Sequence, residues 1–469
     1  MGQSFSYLMK FYDPFPGKIN SQKEYSALFQ GFGIFLAIIL FFLVSSGAVQ
    51  HIYFEHDDWD FMTKLAPGMV PYASPWQKTL FEGRWVNWVW SLQANNLPAR
   101  FIYYLYMLGY CLLCWLSSCL ISSKFLYRIL IAFLLFFSVP FSSLSLWSAT
   151  LTPMVWLSAL FVFSILTVGF NLFLFAFYNI VIFLSYSAMI SSITLIVLSV
   201  FPCFCVEIVL FYGVSYLLGV LTSFSLNKVF HGKFGIIFEG WRKAHPLHGI
   251  EDLKVNILKV SHFWIDCFSI YKIEFVISFI ILLSAFYFNR RQAIQFVFGS
   301  FIVFLFETLI QVASGLDVPV RSTYWIWCFF IGTFSVFIRA EGPDTRIKRS
   351  VAFLGAVPII GSGVLIWSET IQHSTKVSEY EYYLKNRIEA TGAATVYACG
   401  DNQTVPALKD RSYRALRLAM WKQYEINVQP GPDAVCEAVA PLPWTDIQLM
   451  PDHTAVVRFP AGKLDTTMP

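Results

Sequence analysis

Long apolar runs alternate with short polar connections over residues 26–367, and the pattern then turns to mixed polarity up to the C-terminus. A bilayer needs roughly 20 consecutive apolar residues to be crossed as a helix. Apolar segments that approach or reach this length are predicted at about 26–49, 100–122, 125–139, 151–167, 171–189, 192–207, 208–224, 273–288, 293–313, 323–338 and 351–367. The pattern therefore predicts an α-helical polytopic membrane protein with about eleven transmembrane helices. The break around Pro202 reads either as a turn or as a kink within one long helix. The polar connection 51–99 contains Pro67, Pro71, Pro75 and Pro98, so it is not one helix. Residues 76–90 lack proline and have near-helical spacing. They read as an interfacial helix with Trp85, Val89 and Leu92 on one face.

Composition agrees with this pattern. The chain is 57% hydrophobic and 13% charged, against about 25% charged in soluble domains. A net charge of +4 is too small to argue for nucleic acid. No internal repeat is visible. Placing the N-terminus in the cytoplasm puts Lys124, Arg128, Arg290, Arg291, Arg339, Arg346 and Lys348 in short cytoplasmic connections, as the positive-inside rule expects. The loops 51–99 and 225–267, the turn 314–322 and the tail then face outward.

The tail, 369–469, carries ten Lys/Arg and twelve Asp/Glu, a soluble density. Strands are predicted at 395–399 and 454–459, and a helix at 405–423, giving a small α/β domain. Its two cysteines, Cys399 and Cys436, are an even pair in an outward domain and predict a disulfide. The remaining cysteines lie in or near apolar spans. Cys111 and Cys114 have CxxC spacing but no second ligand pair, so they do not read as a metal site. The domain organisation is a cytoplasmic leader 1–25, a membrane domain 26–368 and a soluble domain 369–469.

The candidate chemistry lies in the loops. Asp57, Asp58 and Asp60 fall within four positions after the first span, and Glu82 and Arg84 follow in the same loop. Such a cluster beside a bilayer is either a solvated loop with interface anchors or a site in which one carboxylate acts as a general base. Arg321 precedes a span at a depth where a phosphate headgroup sits, and it reads either as a snorkelling anchor or as a phosphate ligand. Loop 225–267 adds Arg242, His245 and His248. It reads as a surface touching anionic lipid or as part of a site, and its histidine spacings match no metal motif. Glu207 and Glu307 fall inside apolar segments, where a polar interhelical contact is the plainer use.

The HDDW motif at 56–59 and the EGRW motif at 82–85, set in an outward first loop with many spans and an outward C-terminal domain, resemble the GT-C glycosyltransferases. Within these, the motifs are similar to the glucosyl transferase II family, which adds glucosyl groups to O-antigen in serotype conversion. The motif match covers about forty residues and the remainder matches only in layout. The resemblance implies a hexosyltransferase in a bacterial inner membrane with a periplasmic C-terminal domain. Its donor would be a polyprenyl-phosphate-linked sugar, such as undecaprenyl-phosphate glucose. Its acceptor would be a periplasmic glycan such as the O-antigen of lipopolysaccharide, or pilin, lipid A or cell-wall glycan as in neighbouring branches. It implies Asp58 or Asp57 as the base of an inverting transfer, with Asp58 preferred. Arg321 and Arg84 are added from charge and placement as donor-phosphate ligands, and Asp60, Glu82, Trp85, Arg242, His245 and His248 as donor or acceptor contacts. No cofactor is required. A divalent cation (Mg²⁺ or Mn²⁺) between Asp57 and Asp58 is compatible with the motif, although no further ligand is visible. A lipid-linked sugar transporter or flippase is the alternative of another class. Such a protein would place charges mid-membrane and often shows repeated halves.

Overall fold

The computed structural model describes residues 19, 21–70, 74–238, 244–339, 346–409, 411–439, 442 and 444–460. Most of the leader 1–25 lies outside them. The chain folds mainly into helices with one small C-terminal sheet. Helix α1 (Gln22–Ser45) starts at a capping box between Ser21 and Glu24. The connecting loop then forms α2 (His56–Met62), α3 (Pro75–Glu82) and α4 (Trp85–Ala94). The bundle continues through α5 (Ala99–Ile121), α6 (Phe125–Phe136), α7 (Val139–Leu144), α8 (Ser148–Val168), α9 (Leu172–Phe183), α10 (Ala188–Val200) and α11 (Cys205–His231). Helices α12 (Ile250–Ile270), α13 (Lys272–Phe288), α14 (Arg290–Ser314), α15 (Tyr324–Arg339) and α16 (Arg346–Glu389) complete it.

The single helix expected over 76–90 is two. Ser74 caps α3, Pro75 occupies its first turn, and Gly83 ends it in the left-handed region at φ 71°. A side chain at Gly83 would also meet Ser223 Oγ at 2.3 Å, so the break is fixed twice. Trp85 consequently turns inward, while Val89 and Leu92 stay exposed. The break at Pro202 is a 3₁₀ turn, Pro202–Phe204.

Among the described residues six helical stretches are long and apolar enough to cross a membrane: Gln22–Ser45, Ala99–Ile121, Val139–Val168, Pro202–His231, Arg290–Ser314 and Arg346–Glu389. The pair α12 and α13, bent by 80°, makes a seventh if taken as one span. The expected eleven apolar segments all correspond to helices, but α6, α9, α10 and the 16-residue α15 are shorter than a bilayer is thick. Hydropathy finds apolar runs; whether each run crosses depends on its helical length. Helix α5 is mostly buried, whereas Phe41, Leu210, Leu217, Phe279 and Leu309 present apolar side chains on the outside of the bundle. A ring of exposed aliphatic and aromatic groups of this extent fits a lipid solvent.

Helix α16 runs on into the C-terminal domain. There β1 (Thr395–Cys399) pairs in parallel with β2 (Val428–Pro430) and β4 (Thr454–Arg458), and β3 (Asp446–Leu449) pairs antiparallel with β4, giving the order β2-β1-β4-β3. Helix α17 (Tyr413–Tyr424) crosses from β1 to β2, and α18 (Asp433–Ala438) follows. The helix expected from 405 starts instead at Tyr413, capped by Ser412. Pro406 begins a separate 3₁₀ turn ahead of it. The Cys399–Cys436 disulfide is formed.

Candidate functional site

Asp58 is fully buried, and α2 aims it at the start of α8. The first amides of a helix have no partner within it. Trp147, at the N-cap of α8, has no side-chain oxygen to offer. Asp58 supplies one from a distance: Oδ2 accepts from the Ala149 amide at 2.7 Å, and Oδ1 accepts from the Thr150 amide at 2.9 Å and the Thr150 hydroxyl at 2.5 Å. Burial pushes its carboxyl up to about 7, against these hydrogen bonds and the charge of Lys78. A general base must reach an acceptor hydroxyl; here Asp58 accepts from the start of α8 with both oxygens and does not line the neighbouring cavity. Among the described residues no group of three His, Cys, Asp or Glu could hold a metal. Arg242 and the side chain of Asp57 lie outside the described residues.

Trp147 and Leu151, at and near the start of α8, line a cavity of about 240 Å³. Arg84, Arg321 and Glu82 line it, together with Glu307, Gln311 and Asp317, and Trp147, Tyr186, Tyr216 and Trp325 supply its aromatic surface. Arg84 Nε lies 2.6 Å from Glu82 Oε2, and its guanidinium sits 5.3 Å from the Tyr186 ring. The Arg321 guanidinium stacks on Trp147 at 4.3 Å. The Tyr186 hydroxyl and Ser322 Oγ hydrogen-bond at 3.0 Å, tying the two arginine supports together. Loop helix α4 is held on the bundle by Asn87, which donates to the Ser185 carbonyl at 3.0 Å and accepts from Ser185 Oγ at 2.7 Å. At the membrane end of the cavity, Glu307 accepts from Ser191 and from the Tyr212 hydroxyl at 3.3 Å.

The other predicted contacts lie elsewhere. Asp60 is engaged by Arg414 of α17 in a two-pronged pair. Trp85 is buried in a ring cluster with Trp76, Trp88 and Phe230, and its indole donates to Asn227 Oδ1 at 3.0 Å. His245 Nδ1 faces Asp252 at 3.4 Å, and the His248 amide donates to the same carboxylate at 2.9 Å. None of these four lines the cavity. Sequence reasoning missed Trp147, Tyr186, Tyr216, Asp317 and Trp325 as lining. Gln311, one turn from Glu307 on an apolar helix, was the available signal, because a polar pair on an otherwise apolar face has to meet something polar.

Comparison of the chain with protein-family models, with curated proteins and with solved structures finds no match.

Proposed function

We propose that this chain is a GT-C-type membrane glycosyltransferase that moves a hexose from a polyprenyl-phosphate donor to a glycan acceptor outside the cytoplasm, as the HDDW and EGRW motifs imply. The observation that supports it most is the convergence of Arg84 and Arg321, from distant parts of the chain, on one polar cavity that also contains carboxylates. A departing lipid phosphate needs cations, and an attacking hydroxyl needs a base.

Glu82 takes the role of base in this reading, because it shares the cavity with both arginines and Asp58 does not. Donor phosphate competes with Glu82 for Arg84 and releases the carboxylate. Glu82 then accepts the acceptor's hydroxyl proton as the oxygen attacks the anomeric carbon. The bond from that carbon to the phosphate oxygen breaks, configuration inverts, and the lipid phosphate leaves as an anion between Arg84 and Arg321. The acceptor is a periplasmic glycan in a bacterial inner-membrane setting, and O-antigen is the one the motifs favour.

The test is transfer of radiolabelled glucose from undecaprenyl-phosphate glucose by membranes containing wild type, Glu82→Gln, Arg84→Ala or Arg321→Ala, paired with mass spectrometry of the host's surface glycan. Transfer by wild type and a drop of about 10²-fold or more in each variant at equal protein level is the expected result. Full activity in Glu82→Gln would remove it as base, and full activity in both arginine variants would overturn the reading.

A further inference from the structure

Helix α12 has three faces rather than two. Asn256, Val260 and Cys267 are buried against the bundle. On the exposed part, Ile250, Ile257, Leu258, Ile265 and Phe268 form a stripe along one side. Glu251, His262 and Asp266 occupy the adjoining side, where Val255 is the one large apolar group exposed among them. At 100° per residue these three sets fall in separate sectors, with Lys254 on the apolar side, where a long side chain can carry its charge back to water. A helix in water has no use for an open stripe of five large apolar groups, and a helix crossing a bilayer has no use for an acidic and histidine-bearing flank. A helix lying along the boundary between lipid and water uses both.

The direction of the chain agrees. Helix α13, which follows directly, is apolar, and the pair bends by 80° at Tyr271. If α13 enters the bilayer, α12 lies nearly flat upon it. We infer that α12 is an interfacial helix seated on the membrane surface, and that this seat supports the rim of the cavity. Asn256 Nδ2 donates to the Val312 carbonyl at 2.9 Å, at the end of α14. Lys259 Nζ donates to the Gly315 carbonyl at 3.1 Å and lies 3.6 Å from Asp317 Oδ1. At the bend, the Tyr271 hydroxyl and Thr323 Oγ1 hydrogen-bond at 2.7 Å. The segment from Gly315 to Thr323, which carries Asp317 and Arg321, is therefore held by α12 at one end and by the bend residue Tyr271 at the other. Gly315 itself has φ 60° and sits so close to the His245 carbonyl that a side chain there would meet it at 2.4 Å. The depth of α12 in the interface thus sets the depth at which Arg321 is presented, which is the depth of lipid phosphates. This membrane seat does not depend on the transferase reading.

Nitroxide labels on the full chain test it. Cys203, exposed among the free cysteines, is replaced by serine. Single cysteines are then introduced as Leu258→Cys, Ile265→Cys, His262→Cys and Asp266→Cys, all at exposed positions. The labelled proteins are reconstituted in vesicles of phosphatidylethanolamine and phosphatidylglycerol, without donor or acceptor, and the accessibility of each label to oxygen and to a water-soluble nickel chelate is measured. The expected result is an oxygen-to-nickel ratio several-fold higher at 258 and 265 than at 262 and 266. Equal ratios at all four positions would overturn the interfacial seat. Low accessibility of 258 and 265 to both reagents would also overturn it, by showing protein rather than lipid over the stripe.

Discussion

Arg411 Nη2 donates to Glu381 Oε1 at 2.7 Å, and its Nη1 donates to the Phe54 carbonyl at 2.6 Å, with both charged groups buried. The guanidinium also lies 4.9 Å from the Tyr53 ring and 5.4 Å from that of Trp59. One side chain of the C-terminal domain therefore fastens α16 to the strand of loop that leads into α2. Arg414 on Asp60, Arg417 on the Pro67 carbonyl at 2.8 Å and Lys422 on the Asn95 carbonyl at 2.9 Å extend the same junction.

Removing one partner of a buried pair strands the other charge. Arg411→Ala or Glu381→Ala is expected to lower stability by roughly 3–5 kcal/mol, read as thermal unfolding of the detergent-solubilised protein. The double variant should cost less than the two single losses added together, because the stranded charge is gone. Strict additivity would mean that the pair does not act as one unit.

Asp58 gives a pH signature. Its carboxyl is raised by burial to about 7 from an ordinary 3.8. Between those values the folded protein holds a proton that the unfolded chain has released. The contribution is fully present below 3.8 and is lost as pH rises through 7. Asp58→Asn cannot titrate, so its stability should lack that decline between about pH 4 and 7. Unfolding curves at several pH values check this, and parallel slopes for the two proteins would contradict it. Asp58→Ala, which leaves the Ala149 and Thr150 amides without their partner, should cost about 2–4 kcal/mol near pH 4, and its difference from wild type should narrow as pH rises towards 7.

Gly83→Ala places a side chain at φ 71° and against Ser223 Oγ. A loss of roughly 1–3 kcal/mol is expected. Combining it with Ser223→Ala should recover the part due to the hydroxyl contact and leave the backbone part. The comparison requires only unfolding midpoints of the three variants.

Cys399→Ser with Cys436→Ser opens a link across 37 positions of the small domain. Stability of that domain should fall by about 2–4 kcal/mol. Limited proteolysis should then cut near α18 while the membrane helices stay protected, because the link joins β1 to α18 and touches nothing in the bundle.

Much of the fold was legible because apolar runs and soluble composition are local properties. The strands 395–399 and 454–459, the disulfide and the helical nature of every apolar segment follow from them. The number of helices long enough to span did not, since α6, α9, α10 and α15 are apolar but short. The convergence of Arg84 and Arg321 was anticipated from charge and from their shared side of the membrane. The role of Asp58 was not, because a motif names a residue type and not its partner. That partner is the start of α8, distant in sequence, whose N-cap Trp147 has no side-chain acceptor for the first amides, so a carboxylate from elsewhere caps them. Trp85, His245 and His248 were read as contacts because aromatic and imidazole groups beside a loop suggest recognition; in the structure they lie outside the cavity and bond to Asn227 and Asp252.

Helix α16 has 44 residues. At 1.5 Å per residue this is about 66 Å, and a hydrocarbon core takes up about 30 Å of it. The remainder is a mast rooted in the bundle; Arg411, just ahead of α17, ties it at Glu381 to the loop before α2, and Arg414 and Arg417 of α17 add stays to the same loop. A mast with stays transmits tilt. Any leaning of the membrane-embedded foot moves the small domain and the Asp58-bearing loop together, as one piece, instead of leaving the domain to swing on a tether.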